Sequence, residues 1–119
     1  MRFSGTLLLL CSLTLGCAQS KSKHITEFSQ KDIKEGILID VRTPQEFEAG
    51  HLENAVNIDW FANDFIEKFE TLDKEKPVYV YCKMGGRSTK AAHVLDSLGF
   101  EKVIDLEGGY DAFIAIERN

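Results

Sequence analysis

Cys82-Lys83-Met84-Gly85-Gly86-Arg87-Ser88 is the stretch of this 119-residue chain whose residue types and spacing could do chemistry. An apolar run, Val78-Tyr79-Val80-Tyr81, leads straight into the cysteine. A helical pattern follows Ser88, with Ala91, Val94, Leu95 and Leu98 apolar. A chain that leaves a buried strand and enters a helix within so few residues must turn sharply, and paired glycines reach the conformations such a turn needs. Turns of this kind point backbone N–H groups into a concave nest, and the helix that follows adds its positive N-terminal end. That setting favours the anionic form of a sulfur placed in it. Cys82 is therefore expected to be a nucleophile. The same nest, formed by Lys83, Met84, Gly85, Gly86 and Arg87, is expected to hold a persulfide anion after sulfur uptake.

The elements that position this loop can be read from the alternation of short apolar runs with helical patterns. Strands are predicted at Ile25 to Phe28, Ile37 to Asp40, Ala55 to Ile58, Pro77 to Tyr81 and around Val103-Ile104. Helices are predicted from Ser29 to about Glu35 and from Thr43-Pro44 to about Ala49, the latter with Thr43 as cap and Pro44 at the first helical position. Further helices are predicted from Phe61 to about Leu72, from Ser88 to Leu98, and from Gly108-Gly109 to about Ile116. Trp60, Phe61, Phe65 and Phe69 read as core on the third pattern. Strands separated by helices imply an α/β fold with a mainly parallel sheet covered on both faces. Ligands of such sheets bind beyond the carboxyl ends of the strands, where Asp40 and Cys82 both fall.

Composition narrows the function classes. Apolar residues make up 44% of the chain and charged residues 28%, with a net charge of −5. No basic cluster is present to bind phosphates, which argues against a nucleic-acid partner. Arg2 and the greasy run from Leu7 to Leu15, followed by Gly16, have the form of an export signal too short to span a membrane comfortably. Leu13-Thr14-Leu15-Gly16-Cys17 resembles a bacterial lipobox with Thr14 where a leucine is usual. Lipidation of Cys17 and an ordinary signal peptide cut nearby both fit. The first reading divides the chain into a signal peptide (1–16), a lipidated cysteine with a small polar tether (17–23), and one domain (24–119). The product would be an exported, membrane-anchored lipoprotein facing the periplasm or cell exterior. Cys11 would leave with the signal and Cys17 would be blocked, so Cys82 would remain as a single free thiol in an oxidising compartment. That favours use of Cys82, although a buried inert cysteine satisfies the same reasoning.

Five segments in order carry a family resemblance: Asp40-Val41-Arg42, Glu46-Phe47, Gly50-His51-Leu52 with Ala55 and Asn57-Ile58, the Cys82 loop, and Leu106-Glu107-Gly108-Gly109-Tyr110. From about Ile25 to Ile116 the chain resembles a single-domain rhodanese. The resemblance implies a five-stranded parallel sheet with helices on both faces and a thiosulfate-type sulfurtransferase working through a Cys82 persulfide. A small anionic sulfur donor and a thiol, cyanide or protein acceptor would be its partners, with a monomer and no cofactor expected. Two other readings remain beside it. One is a persulfide relay or sulfur-binding accessory module with little turnover. The other is a phosphatase or arsenate reductase of the same fold, and the four residues between Cys82 and Arg87 speak against it. Those relatives have a longer loop, as a tetrahedral oxyanion needs a wider ring of N–H donors than one sulfur atom.

The remaining candidates each have two readings. The resemblance places Asp40 beside the site, and a strand-end acid bonded to nearby amides is the plainer role. Arg42 either guides an anionic donor or pairs with Glu46. Lys83 either attracts the donor or is simply solvated. Arg87 either faces the site or braces the loop. His51 is expected to make a structural hydrogen bond, since a thiolate held by the loop needs no base. His24 and His93 are isolated, and no pair of ligands has metal spacing.

Overall fold

The computed structural model describes residues 21–118. The signal peptide, the Cys17 lipidation site and most of the tether therefore lie outside the described residues. Five strands, β1 (Lys21–His24), β2 (Ile37–Asp40), β3 (Val56–Asn57), β4 (Val78–Tyr81) and β5 (Val103–Glu107), form one parallel sheet in the order β1-β5-β4-β2-β3. The helices are α1 (Pro44–Ala49), α2 (Phe65–Phe69), α3 (Gly86–Ser97) and α4 (Gly109–Glu117).

Side chains that alternate along the strands divide the core into two layers, because successive residues of a strand point to opposite faces. Ile39 and Val41, Val78 and Val80, and Val103 join Phe65 and Phe69 of α2 and Ala91, Ala92 and Leu95 of α3 on one face. Leu38, Tyr81 and Leu106 join Ile25 and Leu52 on the other, with Tyr110, Ala112 and Phe113 of α4 packed against them. Both faces are thus covered, as a parallel sheet requires. Each fully buried large apolar side chain contributes roughly 1.5–3 kcal/mol relative to exposure. Cys82 follows the α3 face and Tyr81 the α4 face, and this one-residue alternation decides what each can do.

Local chemistry explains where helices start and stop. Thr43 caps α1 in a capping box with Glu46, and Pro44 supplies the first turn without needing an N–H partner. Four expectations are corrected. Residues 25–27 are a 3-10 helix, and the first strand lies earlier, at Lys21–His24, inside the stretch read as a tether. His24 closes that strand by accepting the Thr26 N–H on Nδ1. Residues 30–35 form successive turns rather than a helix. Asp32 takes both the Ser29 N–H and the Lys23 ammonium, a local arrangement that competes with helix propagation. The third helix is confined to Phe65–Phe69, because Asp59 accepts the Phe61 N–H in a side-chain turn. Phe61 is consequently 66% exposed rather than core, whereas Phe65 and Phe69 are buried and Trp60 packs against them.

Candidate active site

Strand β4 delivers Cys82 to the carboxyl edge of the sheet, where the residue is 1% exposed. Lys83 and Met84 carry the chain outward, Met84 into solvent. Gly85 then turns it back with φ 123°, a left-handed value costly for any side chain, and α3 begins at Gly86. This turn aims the Gly85 N–H at the Cys82 sulfur, 3.0 Å from Sγ. The first-turn amides of α3 lack acceptors within their own helix and present its positive end to the same region. Ser88, wholly buried, places its hydroxyl 3.5 Å from Sγ and 3.2 Å from the Gly85 carbonyl.

A second turn clamps the loop from behind. The N–H groups of Tyr110 and Asp111 donate to the carbonyls of Cys82 (2.8 Å) and Lys83 (3.1 Å). Gly109, with φ 62°, lies so close that an added Cβ would collide with both of those carbonyl oxygens. The Gly108-Gly109-Tyr110 motif is thereby explained as a backbone seat for the cysteine loop.

Arg87 grips Glu46 of α1 with two hydrogen bonds, 2.6 and 3.0 Å. The guanidinium holds the Glu46 carboxyl down at about 2, with the Thr43 N–H and hydroxyl assisting against the penalty of burial. Arg87 is itself raised, first by Glu46 and more weakly by the Cys82 and Asp40 charges. Its ring neighbour is Phe61, 5.8 Å from the guanidinium carbon. Lys83 pairs with Asp111 at 2.8 Å across the surface.

Asp40 and Arg42 belong to the opposite face. Asp40 receives the Arg42 backbone N–H at 2.9 Å and its side chain at 2.7–3.1 Å, and the guanidinium also donates to the Gly50 carbonyl. Arg42 lies 4.3 Å from the centre of the Tyr110 ring. Tyr81 completes this cluster. Its buried hydroxyl accepts the Leu52 N–H at 3.0 Å, and burial followed by the Asp40 charge pushes its ionisation far upward. The expected Arg42–Glu46 pair is absent because Glu46 is held by Arg87, and at 3% exposure Arg42 is not presented to guide a donor. His51 donates from Nδ1 to the Phe47 carbonyl at 2.8 Å and stacks on the Phe47 ring, consistent with the structural reading.

Three residues at the site had not been singled out from sequence as site residues: Ser88, Thr89 and Asp105. Thr89 Oγ1 lies 2.8 Å from the Gly85 carbonyl and 2.7 Å from Asp105 Oδ2. A signal was available for Asp105, since it alternates with Val103 and so shares a core-facing side of β5. Among the described residues no group of three or more His, Cys, Asp or Glu could hold a metal ion.

Residues 23–116 match the rhodanese-like domain family, and the chain belongs to it. It is 36% identical over 77 residues to thiosulfate sulfurtransferase GlpE of Tolumonas auensis, covering 64% of this chain and 70% of that protein. It is 39% identical over 84 residues to the adenylyltransferase and sulfurtransferase UBA4 of Candida albicans, covering 66% of this chain; this chain spans only 19% of that protein's length. A rhodanese-related protein from Thermoplasma volcanium superposes with a TM-score of 0.70 at 31% identity, over 81% of this chain and 92% of that one. The five-stranded parallel fold is that of this solved neighbour and of the rhodanese-like family.

Proposed function

We propose that the protein is a sulfurtransferase that moves sulfane sulfur from a donor such as thiosulfate to a thiophilic acceptor through a Cys82 persulfide. The observation that carries this reading is the Gly85 N–H aimed at Sγ within a four-residue loop at the head of α3. In the first step the Cys82 thiolate attacks the outer sulfur of thiosulfate. The S–S bond breaks, and sulfite leaves with the electron pair. In the second step an acceptor attacks the terminal sulfur, taking it and returning the electron pair to Cys82 as thiolate. The transfer is thereby split into two displacements. The Gly85 amide and the head of α3 stabilise the sulfur anion as fixed dipoles. Lys83, Met84, Gly86 and Arg87 complete the loop, and Arg87 braces it through Glu46. A sulfur so nearly enclosed suits a donor whose reacting atom is terminal.

Purified protein is expected to form thiocyanate from thiosulfate and cyanide, and Cys82→Ser to reduce this to the blank. Failure of thiosulfate, polysulfide and persulfide donors alike would overturn catalysis. A stable one-sulfur mass increase on Cys82 without turnover would instead establish the relay reading. We further propose that the protein is exported and anchored by a lipid on Cys17. The Leu13–Cys17 segment supports this, and loss of membrane association on Cys17→Ser is the expected result.

A further inference from the structure

Behind the Cys82 loop two hydroxyl protons serve three acceptors. Ser88 Oγ stands 3.2 Å from the Gly85 carbonyl and 3.5 Å from Cys82 Sγ. Thr89 Oγ1 stands 2.8 Å from the same carbonyl and 2.7 Å from Asp105 Oδ2. A hydroxyl has one proton to give, so each of these serves one acceptor at a time. The Gly85 carbonyl also receives the Thr89 N–H at 3.2 Å, which leaves one lone pair for which both hydroxyls compete.

Asp105 tips this competition. It is 6% exposed, and its Oδ1 is buried with no hydrogen-bond partner among the described residues. Among the described residues Thr89 gives the carboxyl its one side-chain hydrogen bond, on Oδ2. In its carboxylate form Asp105 accepts roughly twice as strongly as a neutral carbonyl, and at 2.7 Å against 2.8 Å it holds the Thr89 proton against the carbonyl. The carbonyl then takes the proton of Ser88, and Ser88 has none left for the sulfur. Were the Thr89 proton turned to the carbonyl, Ser88 would be released to donate to an anionic Cys82.

We propose that Asp105 is a positioning residue that acts through Thr89 and Ser88 to restrain the reactivity of Cys82. It touches neither the sulfur nor a donor; it decides which way two hydroxyls point. The inference needs Cys82 to be a nucleophile and does not need sulfur transfer. Loss of thiocyanate formation with normal alkylation would therefore count against the proposed reaction and leave this proposal standing.

The test is the rate of iodoacetamide alkylation at Cys82 in the purified full chain at one fixed pH, followed by mass. Asp105→Asn keeps the shape but donates an amide N–H to Thr89 Oγ1, which turns the Thr89 proton to Gly85. Alkylation should rise about threefold to tenfold, the worth of one net hydrogen bond. Thr89→Val removes the hydroxyl and leaves Ser88 on the carbonyl as in the wild type, so its rate should stay within about twofold, and Asp105→Asn should have no effect in that background. In a Ser88→Ala background neither substitution should change the rate further. A structural role alone would let Asp105→Asn change the rate in the Thr89→Val and Ser88→Ala backgrounds as well. That result, an Asp105→Asn rate within twofold of wild type, or persistence of the effects without Ser88 would overturn the proposal. Should Asp105→Asn fail to fold by its thermal melt, Asp105→Ala, which leaves the Thr89 proton only the Gly85 carbonyl, decides by the same rise.

Discussion

Asp40–Arg42 and Glu46–Arg87 stand at the same edge of the sheet with nearly the same shortest contacts, 2.7 and 2.6 Å. The first lies on the α4 face and is buried, with Arg42 locked between Asp40, the Gly50 carbonyl and two tyrosine rings. The second lies on the cysteine side, with Arg87 and Glu46 side chains 20% and 28% exposed, and ties the loop to α1. A pair shut away from water holds architecture together, and its removal leaves a stranded charge. A pair left partly wet can hold a loop in place at small cost. The difference separates two roles that the sequence motifs alone present as equals.

Breaking the buried pair should have the largest effect. Asp40→Ala leaves the Arg42 guanidinium buried without its anion, and losses of about 3–5 kcal/mol accompany such removals. Urea denaturation should show the midpoint falling steeply. If the midpoint hardly moves, the α4 face is not the rigid half of the edge. Glu46→Gln should cost less, about 1 kcal/mol, because water can solvate the freed Arg87. It should lower kcat more than it raises KM, since the loop is loosened without removal of a donor contact.

Acid sharpens the same contrast. Glu46 has its carboxyl value depressed from 4.5 to about 2 by Arg87. A depressed folded value means that the pair's contribution is fully present above about 4.5 and is lost as pH falls through about 2. The stability gap between wild type and Glu46→Gln should therefore be constant above about pH 5 and close progressively towards pH 2. A gap that closes near neutrality would mean that Arg87 does not hold Glu46.

How much of this was legible in the sequence follows from how local each feature is. Thr43-Pro44 and the two-glycine loop declare themselves through a few adjacent residues, and α1 and the Cys82 turn stand where they were expected. The strand order joins distant segments and the Arg87–Glu46 bond joins residues 41 positions apart, which no local pattern encodes. Phe61 misled because it continues the helical spacing of Phe65 and Phe69, while Asp59 diverts the backbone just before it. Ser88, Thr89 and Asp105 were passed over because hydroxyls at a helix start and a lone acid in a strand look ordinary until the fold brings them behind one carbonyl.

The smallest effects belong to a third pair, Lys83–Asp111, which is about half exposed on both sides. Exposed pairs of this kind contribute about 0–1 kcal/mol, so neither Lys83→Ala nor Asp111→Ala should move the unfolding midpoint appreciably. Their influence should fall on the donor instead. Lys83 sits next to Cys82, and Asp111 neutralises it at 2.8 Å. Removing Lys83 leaves an unopposed carboxylate near an entering dianion and should raise the KM for thiosulfate; removing Asp111 frees the cation and should lower it. Both shifts should be about twofold to threefold at low salt and vanish near 1 M, where the screening length is only about 3 Å. Opposite shifts that disappear with salt would make Lys83 a long-range guide to the donor. Shifts in the same direction, or ones indifferent to salt, would make the pair a packing contact of the loop, no different in kind from the Glu46–Arg87 brace.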